Sequence, residues 1–378
     1  MTRVTLQTIA DRVGVSRMTV SNAFSRPDQL SDALRGRILE TAAALGYAGP
    51  DPAARALARG TSGAVGVLLT SSLQHAFDDE VATGFLAAVA GELGPTGLAI
   101  TLLTTTAAPD DVIPARDVAL DGALVYSCNP DNGAVDWLRR RGLPLVYVDQ
   151  EPVEDVTCVN VDDRAGARAA AGHLVDLGHR RFAVLTLTAA GAPDADVQCS
   201  AHVTGERLAG WVEALAAVGS TPVVHRQRRN DDEEAREAAL ALLSGADRPT
   251  AVLCFSDVMA SGVVRAAEQL GLEVPADVSV VGFDDSPLAR RLRPRLTSVH
   301  QDVPGKGRLA AAALRSAMDH HRAGSDSPVT RVVLPTSLVV RDSTAPPPEP
   351  RSGAGAGPPG VRPGAPCSPR TGPRLSRW

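Results

Sequence analysis

Arg17, Met18 and Asn22 stand within six residues of one another, and their side chains suit the edges of base pairs. An arginine can donate two hydrogen bonds to guanine, an asparagine can pair with adenine, and a methionine offers an apolar surface to a thymine methyl. Each good bidentate contact discriminates by about 1–3 kcal/mol. Thr5, Thr19 and Ser21 carry hydroxyls suited to phosphate oxygens, contacts that position a module without reading sequence. Ser16, a candidate N-cap, completes this DNA-facing set.

Such chemistry needs a helix that can enter a groove. Leu6, Ile9, Ala10 and Val13 fall at helical spacing, and Gly14 follows where a helix end wants a left-handed residue. A second helix from Arg17 to about Phe24 buries Val20 and Ala23 and leaves Arg17, Met18, Ser21 and Asn22 outward. Leu34, Ile38, Leu39, Ala42 and Leu45 mark a third, beginning near Ser31 or Asp32 and ending at Gly46. A bare three-helix bundle with solvated arginines has the same local pattern, so the residues after Gly46 decide between the two. They form a short run with Asp51 as N-cap, Pro52 in the first turn and Gly60 at the end. Two turns of helix are unstable alone in water, so this segment is expected to order only against a partner.

The spacing of Val4-Thr5-Leu6, Ile9-Ala10, Gly14-Val15-Ser16, Thr19-Val20-Ser21, Leu45-Gly46-Tyr47 and Ala54-Arg55-Ala56-Leu57 strongly resembles the lactose/galactose repressor family of bacterial transcription regulators. The resemblance implies that the short run, with Ala54 among its DNA-facing residues, is a hinge helix. It pairs with its dimer mate in the minor groove, and Leu57 wedges into the central base step. Two departures stand out. Asn22 occupies a position where the family has a longer donor, and Asp51 replaces the usual asparagine while keeping a capping oxygen.

Net charge is −5 over 378 residues, unevenly spread. Residues 1–60 carry +3 and 344–378 carry +4, which leaves −12 on the body. A basic head on an acidic body directs the head alone to phosphate. The five cysteines lack metal spacing and read as reduced thiols. No secretory signal and no apolar run approaching 18 residues is present, so a soluble, cytoplasmic protein with no membrane partner is expected. Lys306 is the only lysine, which reads as the bias of a GC-rich genome. From 343 to 378 the chain is mostly Pro, Gly, Ala, Ser and Arg and is expected to be disordered.

From Ala64 onward short apolar runs alternate with amphipathic helical stretches, first near 64–70, 98–104, 122–127 and 143–149, then near 181–187, 222–225, 251–255 and 278–283. This alternation predicts an α/β body of two doubly wound parallel sheets, with a cleft at the carboxyl ends of the strands. Asp162-Asp163, Leu177-Gly178-His179-Arg180-Arg181 and Pro275-Ala276-Asp277-Val278-Ser279-Val280-Val281-Gly282-Phe283-Asp284-Asp285 resemble the same family's bilobal, periplasmic-binding-protein-like sensor. By that resemblance Arg207 and Asp284 face each other across the cleft to bind the hydroxyls of a small-molecule effector, most simply a carbohydrate, and Ser256 stands where many members use asparagine. Ser127, Asp149 and Asp162 lie at strand ends facing the crevice, and Phe77 could stack on a sugar. His179 is expected to satisfy helix-end carbonyls, and His320-His321 lacks a third metal ligand.

No cofactor, metal site or catalytic constellation is expected; Gly355-Ala356-Gly357-Pro358-Pro359-Gly360 fits a dinucleotide pattern but follows no strand. The expected division is a helix-turn-helix head (1–48), a hinge (49–61), a bilobal effector-binding and dimerisation body (62–342) and a tail. The function implied is a homodimeric repressor on a near-palindromic operator, switched by a sugar or related molecule. A sugar-binding protein whose N-terminal helices serve oligomerisation is the alternative.

Overall fold

The computed structural model describes residues 4–49, 51, 55–57, 60–69, 73–104, 112–127, 133–188 and 201–349. Ala54, and the tail from residue 350, lie outside the described residues.

Three helices form the head: α1 (Leu6–Val13), α2 (Arg17–Ser25) and α3 (Asp32–Ala44). Thr5 and Thr8 exchange side-chain and backbone bonds in a capping box, and Gly14 ends α1 at φ 78° with its N–H on Ala10. Ser16 caps α2 by accepting from the Thr19 amide at 3.0 Å. Ile9, Ala10, Val20, Ala23, Ile38 and Ala42 are buried together. From α3, Arg35 donates to the Ala23 carbonyl and Arg37 to the Val13 carbonyl, each at 3.3 Å, so one helix satisfies open carbonyls at the ends of the other two.

The N-terminal lobe is built on β1 (Ala64–Leu69), β2 (Ala99–Thr104), β3 (Gly122–Tyr126), β4 (Leu145–Val148) and β5 (Thr157–Val161). Between them run α4 (Leu73–Asp78), α5 (Glu80–Leu93), α6 (Ile113–Asp117) and α7 (Gly133–Arg140). The C-terminal lobe repeats the plan with β6 (Phe182–Leu187), β7 (Val223–Gln227), β8 (Ala251–Cys254), β9 (Ser279–Asp284) and β10 (Thr297–Gln301). Its helices are α8 (Asp163–Asp176), α9 (Ala201–Ala216), α10 (Asp232–Leu243), α11 (Asp257–Gln269) and α12 (Pro287–Arg291). The longest helix, α13 (Val303–Ala323), packs back onto the N-terminal lobe, and β11 (Arg331–Leu334) and β12 (Thr336–Val339) end the series.

Strand order is β11-β5-β4-β3-β1-β2 in one sheet and β12-β10-β9-β8-β6-β7 in the other. Each therefore reverses direction beside its first strand, the switch point where doubly wound sheets open a crevice. One correction applies: β12 runs antiparallel to β10, so only the N-terminal sheet is wholly parallel. The cause is the short connection at Pro335, which lets one segment edge both sheets. Helices approach closely where a side chain is missing: a Cβ on Gly210 of α9 would lie 2.3 Å from the Arg164 carbonyl of α8, and one on Gly307 of α13 2.7 Å from Ala88 of α5.

The chain crosses between lobes at Asp162, Asp302 and Pro335. Order does not end at Asp342 as expected. Ser343 is fully buried, its Oγ accepting from the Thr297 amide at 2.8 Å and donating to the Val280 carbonyl at 2.6 Å, and the compact unit runs to Pro347. His179 serves this closure and not helix-end carbonyls. Its ring meets Thr250 at 2.9 Å, Ser279 at 3.1 Å and the Ala345 carbonyl at 2.9 Å. Trp211 is buried in the C-terminal core, and no helix among the described residues is long and apolar enough to cross a membrane.

Candidate functional site

The head presents α2 with Arg17 and Met18 exposed, the latter at 69%. Asn22 is half-buried and donates to Gln29 at 3.1 Å, so it is held in one orientation. Ser16 and Thr19 share a hydroxyl contact at 2.8 Å, which ties the capping oxygen to a candidate phosphate contact. Ser21 is half-buried and Thr5 is exposed at the start of α1. Beyond the head, residues 55–57 are helical and the Arg55 amide donates to the Asp51 carbonyl at 3.0 Å, a helical bond that places Asp51 at the start. Leu57 is 87% exposed.

At the root of that segment Asp121 accepts from the Ser62 amide at 2.6 Å and the Gly63 amide at 3.0 Å. Arg322, in the last turn of α13, approaches the same carboxylate at 3.6 Å.

The cleft carries backbone strain at the ends of its strands. Ser127, Asp149, Asp284 and Asp285 have φ of 54°, 56°, 103° and 49°, directly after or at the ends of β3, β4 and β9. Non-glycine residues in this region each cost about 1–3 kcal/mol and persist where surrounding structure dictates them, as at ligand sites. Three of the four are residues that the sequence places in the crevice.

A continuous chain of buried polar groups connects two of them, Asp149 and Asp284. Arg207 of α9 donates to Asp163 at 2.8 Å and to the Phe255 carbonyl, lies 3.4 Å from Asp284, and stacks 3.6 Å from the Phe283 ring centre. Asp284 accepts from Gln301 at 2.7 Å, the Gln301 carbonyl oxygen accepts from Lys306 at 3.0 Å, and Lys306 pairs with Asp149. The order Asp163–Arg207–Asp284–Gln301–Lys306–Asp149 runs from one lobe to the other. Burial pushes the Asp284 carboxyl up to about 7, with Arg207 opposing the rise and the charge of Asp79 adding to it. Burial also raises Asp163, against the pull of Arg207. Asp257 is raised by burial and then by the charge of Asp284; it accepts from Ser298 at 2.6 Å and the Ser286 amide at 2.7 Å, fixing the loop that bears Asp284.

Two expectations need correction. Arg207 and Asp284 do not face each other across the cleft; both belong to the C-terminal lobe, and the link to the other lobe is made by Gln301 and Lys306. Asp162 is exposed and spends its carboxylate capping α8 on the Ala165 amide at 3.0 Å, because it stands at the crossing; its neighbour Asp163 takes the buried place on Arg207. Ser256 is buried, caps α11 and donates to Asn230, so it lies outside the chain of polar groups through Arg207. Phe77 is 58% exposed on α4. Gln301 and Lys306 carry no signal in the sequence that marks them as site residues.

The lobes also touch at the cleft rim. Glu80 of α5 pairs with Arg291 of α12 and accepts from the Leu288 amide at 3.2 Å, and His202 of α9 meets Glu151 at 3.0 Å.

Two family models match the chain: "Bacterial regulatory proteins, lacI family" over residues 5–49 and "Periplasmic binding protein-like domain" over 171–344. The HTH-type transcriptional regulator IpsA of Corynebacterium glutamicum is 37% identical over 333 residues, covering 83% of this chain and 91% of that protein. A solved complex of the transcriptional regulator CelR with cellobiose is similar at a TM-score of 0.65 and 29% identity, over 90% of this chain and 100% of that one. The lac repressor dimer bound to operator and the anti-inducer ONPF is similar at a TM-score of 0.74 and 25% identity, over 91% and 100%. With its capped reading helix, its two switch-point sheets and these likenesses, the chain belongs to the lacI family of HTH-type transcriptional regulators.

Proposed function

We propose that two copies of this protein grip a near-palindromic operator and that a carbohydrate in the interlobe cleft changes the grip. Arg17, Met18 and Asn22 read bases, while Thr5, Ser16, Thr19 and Ser21 set the register on phosphates. Ala54 and Leu57 of the paired hinges enter the central minor groove, where the leucine unstacks a base step. The protein works in the cytoplasm as a repressor and needs no cofactor. The observation that carries this reading is the pairing of an 87% exposed Leu57 behind a capped reading helix with strained carboxylates at the strand ends of a cleft. Phe77, Ser127, Asp149, Arg207, Ser256 and Asp284 supply the cleft's apolar face, acceptors and donors. Asp162 acts at the hinge between lobes. In the lac repressor dimer and the CelR–cellobiose complex, proteins of the same fold hold operator and sugar.

Each hinge is marginal alone, so a small change in the spacing of the two hinge roots can order or melt both. A coupling of about 1–3 kcal/mol changes operator affinity some 5- to 150-fold. Selection of duplexes from a random pool, followed by titration with Arg17→Ala and Asn22→Ala variants, tests the reading. Lost preference for the selected duplex with intact sugar binding is expected. Unchanged DNA behaviour in both variants supports the oligomerisation alternative.

A further inference from the structure

We infer that the Asp149–Lys306 pair is a charge filter that restricts the cleft to uncharged polyols and rejects their ionised relatives, such as uronates, aldonates and sugar phosphates. The inference rests on the cleft being the effector site. Lys306 is the one lysine in 378 residues, and it is 1% exposed. A buried ammonium in a sugar cleft would by itself attract an anion. Here it is already answered by Asp149 and by the Gln301 carbonyl oxygen at 3.0 Å, above the Tyr126 ring at 5.8 Å.

The other buried cation is answered in the same way. Arg207 holds Asp163 at 2.8 Å and lies 3.4 Å from Asp284. Three carboxyl groups, Asp163, Asp284 and Asp149, thus lie against the two buried cations. At the rim Arg291 pairs with Glu80, while Arg341 and Arg290 share Asp285. Arg228 and Arg229 are exposed at the carboxyl end of β7, the outermost strand. Among the described residues an ionised ligand therefore finds both buried cations of the cleft already paired, whereas a hydroxyl can donate to the carboxylates and accept from the cations.

Calorimetric titration of the full chain at 0.15 M salt with matched pairs tests this: hexoses, cellobiose and acyclic polyols, each against its uronate, aldonate or phosphate ester. At least one uncharged member is expected to bind, with its ionised counterpart weaker by about 100-fold or more. Asp149→Asn, which releases the Lys306 ammonium, is expected to shrink that ratio at least tenfold, whereas Lys306→Met gains no anion binding. A wild-type protein that binds an ionised member as tightly as its uncharged counterpart overturns the filter and leaves the carbohydrate reading intact. If no member of either charge binds, the carbohydrate reading fails and takes the filter with it. Should Asp149→Asn not fold, the wild-type ratio alone decides.

Discussion

Asp162 and Asp302 do the same thing at two of the three crossings between lobes. Their φ/ψ angles are −80°/72° and −78°/76°, and each accepts from a backbone amide of the helix it opens, Ala165 at 3.0 Å and Gly305 at 2.8 Å. One helix enters the C-terminal lobe and the other returns to the N-terminal lobe, so a matched pair of capped turns forms the pivot. Asp162→Ala and Asp302→Ala are each expected to lower stability by about 0.5–2 kcal/mol through the lost cap. Urea unfolding of the two variants and the double variant checks this, with near-additive losses expected if the turns act independently.

Substitution of Leu57 is expected to separate folding from binding. At 87% exposure its side chain contributes little to the folded monomer, so Leu57→Ala should change the stability by no more than about 0.5 kcal/mol. Operator affinity is expected to fall at least about tenfold, or ~1.4 kcal/mol. Fluorescence anisotropy on a labelled operator beside thermal unfolding distinguishes this from a merely structural leucine, which would lose stability instead.

Asp284 makes stability depend on pH with a definite sign. Its carboxyl is held at about 7 in the folded chain against 3.8 ordinarily, so the folded state keeps a proton that the unfolded chain has released. Its contribution to stability therefore falls as pH rises from about 4 to about 7 and is level above that. Asp163 and Asp257, also raised by burial, act in the same direction. Denaturation of the wild type and Asp284→Asn across pH 5 to 8 should show a flatter profile for the variant. Equal slopes would remove Asp284 from the account.

Asp121 ties Ser62 and Gly63, at the root of the proposed hinge, to the end of α13, whose first turn holds Lys306 in the cleft. That helix has 21 residues, about 30 Å at 1.5 Å per residue. Asp121→Ala leaves the Ser62 and Gly63 amides without this acceptor. Operator affinities with and without effector are expected to converge, while effector affinity stays within about twofold. Titrating DNA at zero and saturating sugar measures it, and an undiminished ratio between the two affinities sinks the link.

The head is legible in the sequence because local rules govern it: Thr5, Gly14, Ser16 and Ser31 are caps, and caps act within a turn. Most strands of both lobes are legible for a similar reason, as buried parallel strands are continuous apolar runs. The additions β5, β10, β11 and β12 are not; Arg331–Leu334 and Thr336–Val339 alternate weakly and pair with strands far away in sequence. Most of the strand-end residues of the cleft can be found from sequence, yet Lys306 reads there as a compositional accident. A single lysine near the start of an alanine-rich helix gives no local signal; its role depends on Asp149, 157 residues away. Asp162 and Asp163 cannot be told apart without knowing where the crossing turns.

The segment Arg331–Val339 edges both sheets, with Pro335 between its two halves. During synthesis the ribosome therefore delivers the finishing piece of both lobes last, almost simultaneously. A nascent chain that stops near residue 330 has two incomplete sheets rather than one finished lobe and one missing, and neither lobe can be excised as a single uninterrupted stretch. Maturation of the two halves is thus tied to one late event, after which the long acidic body is closed on both sides of its pivot.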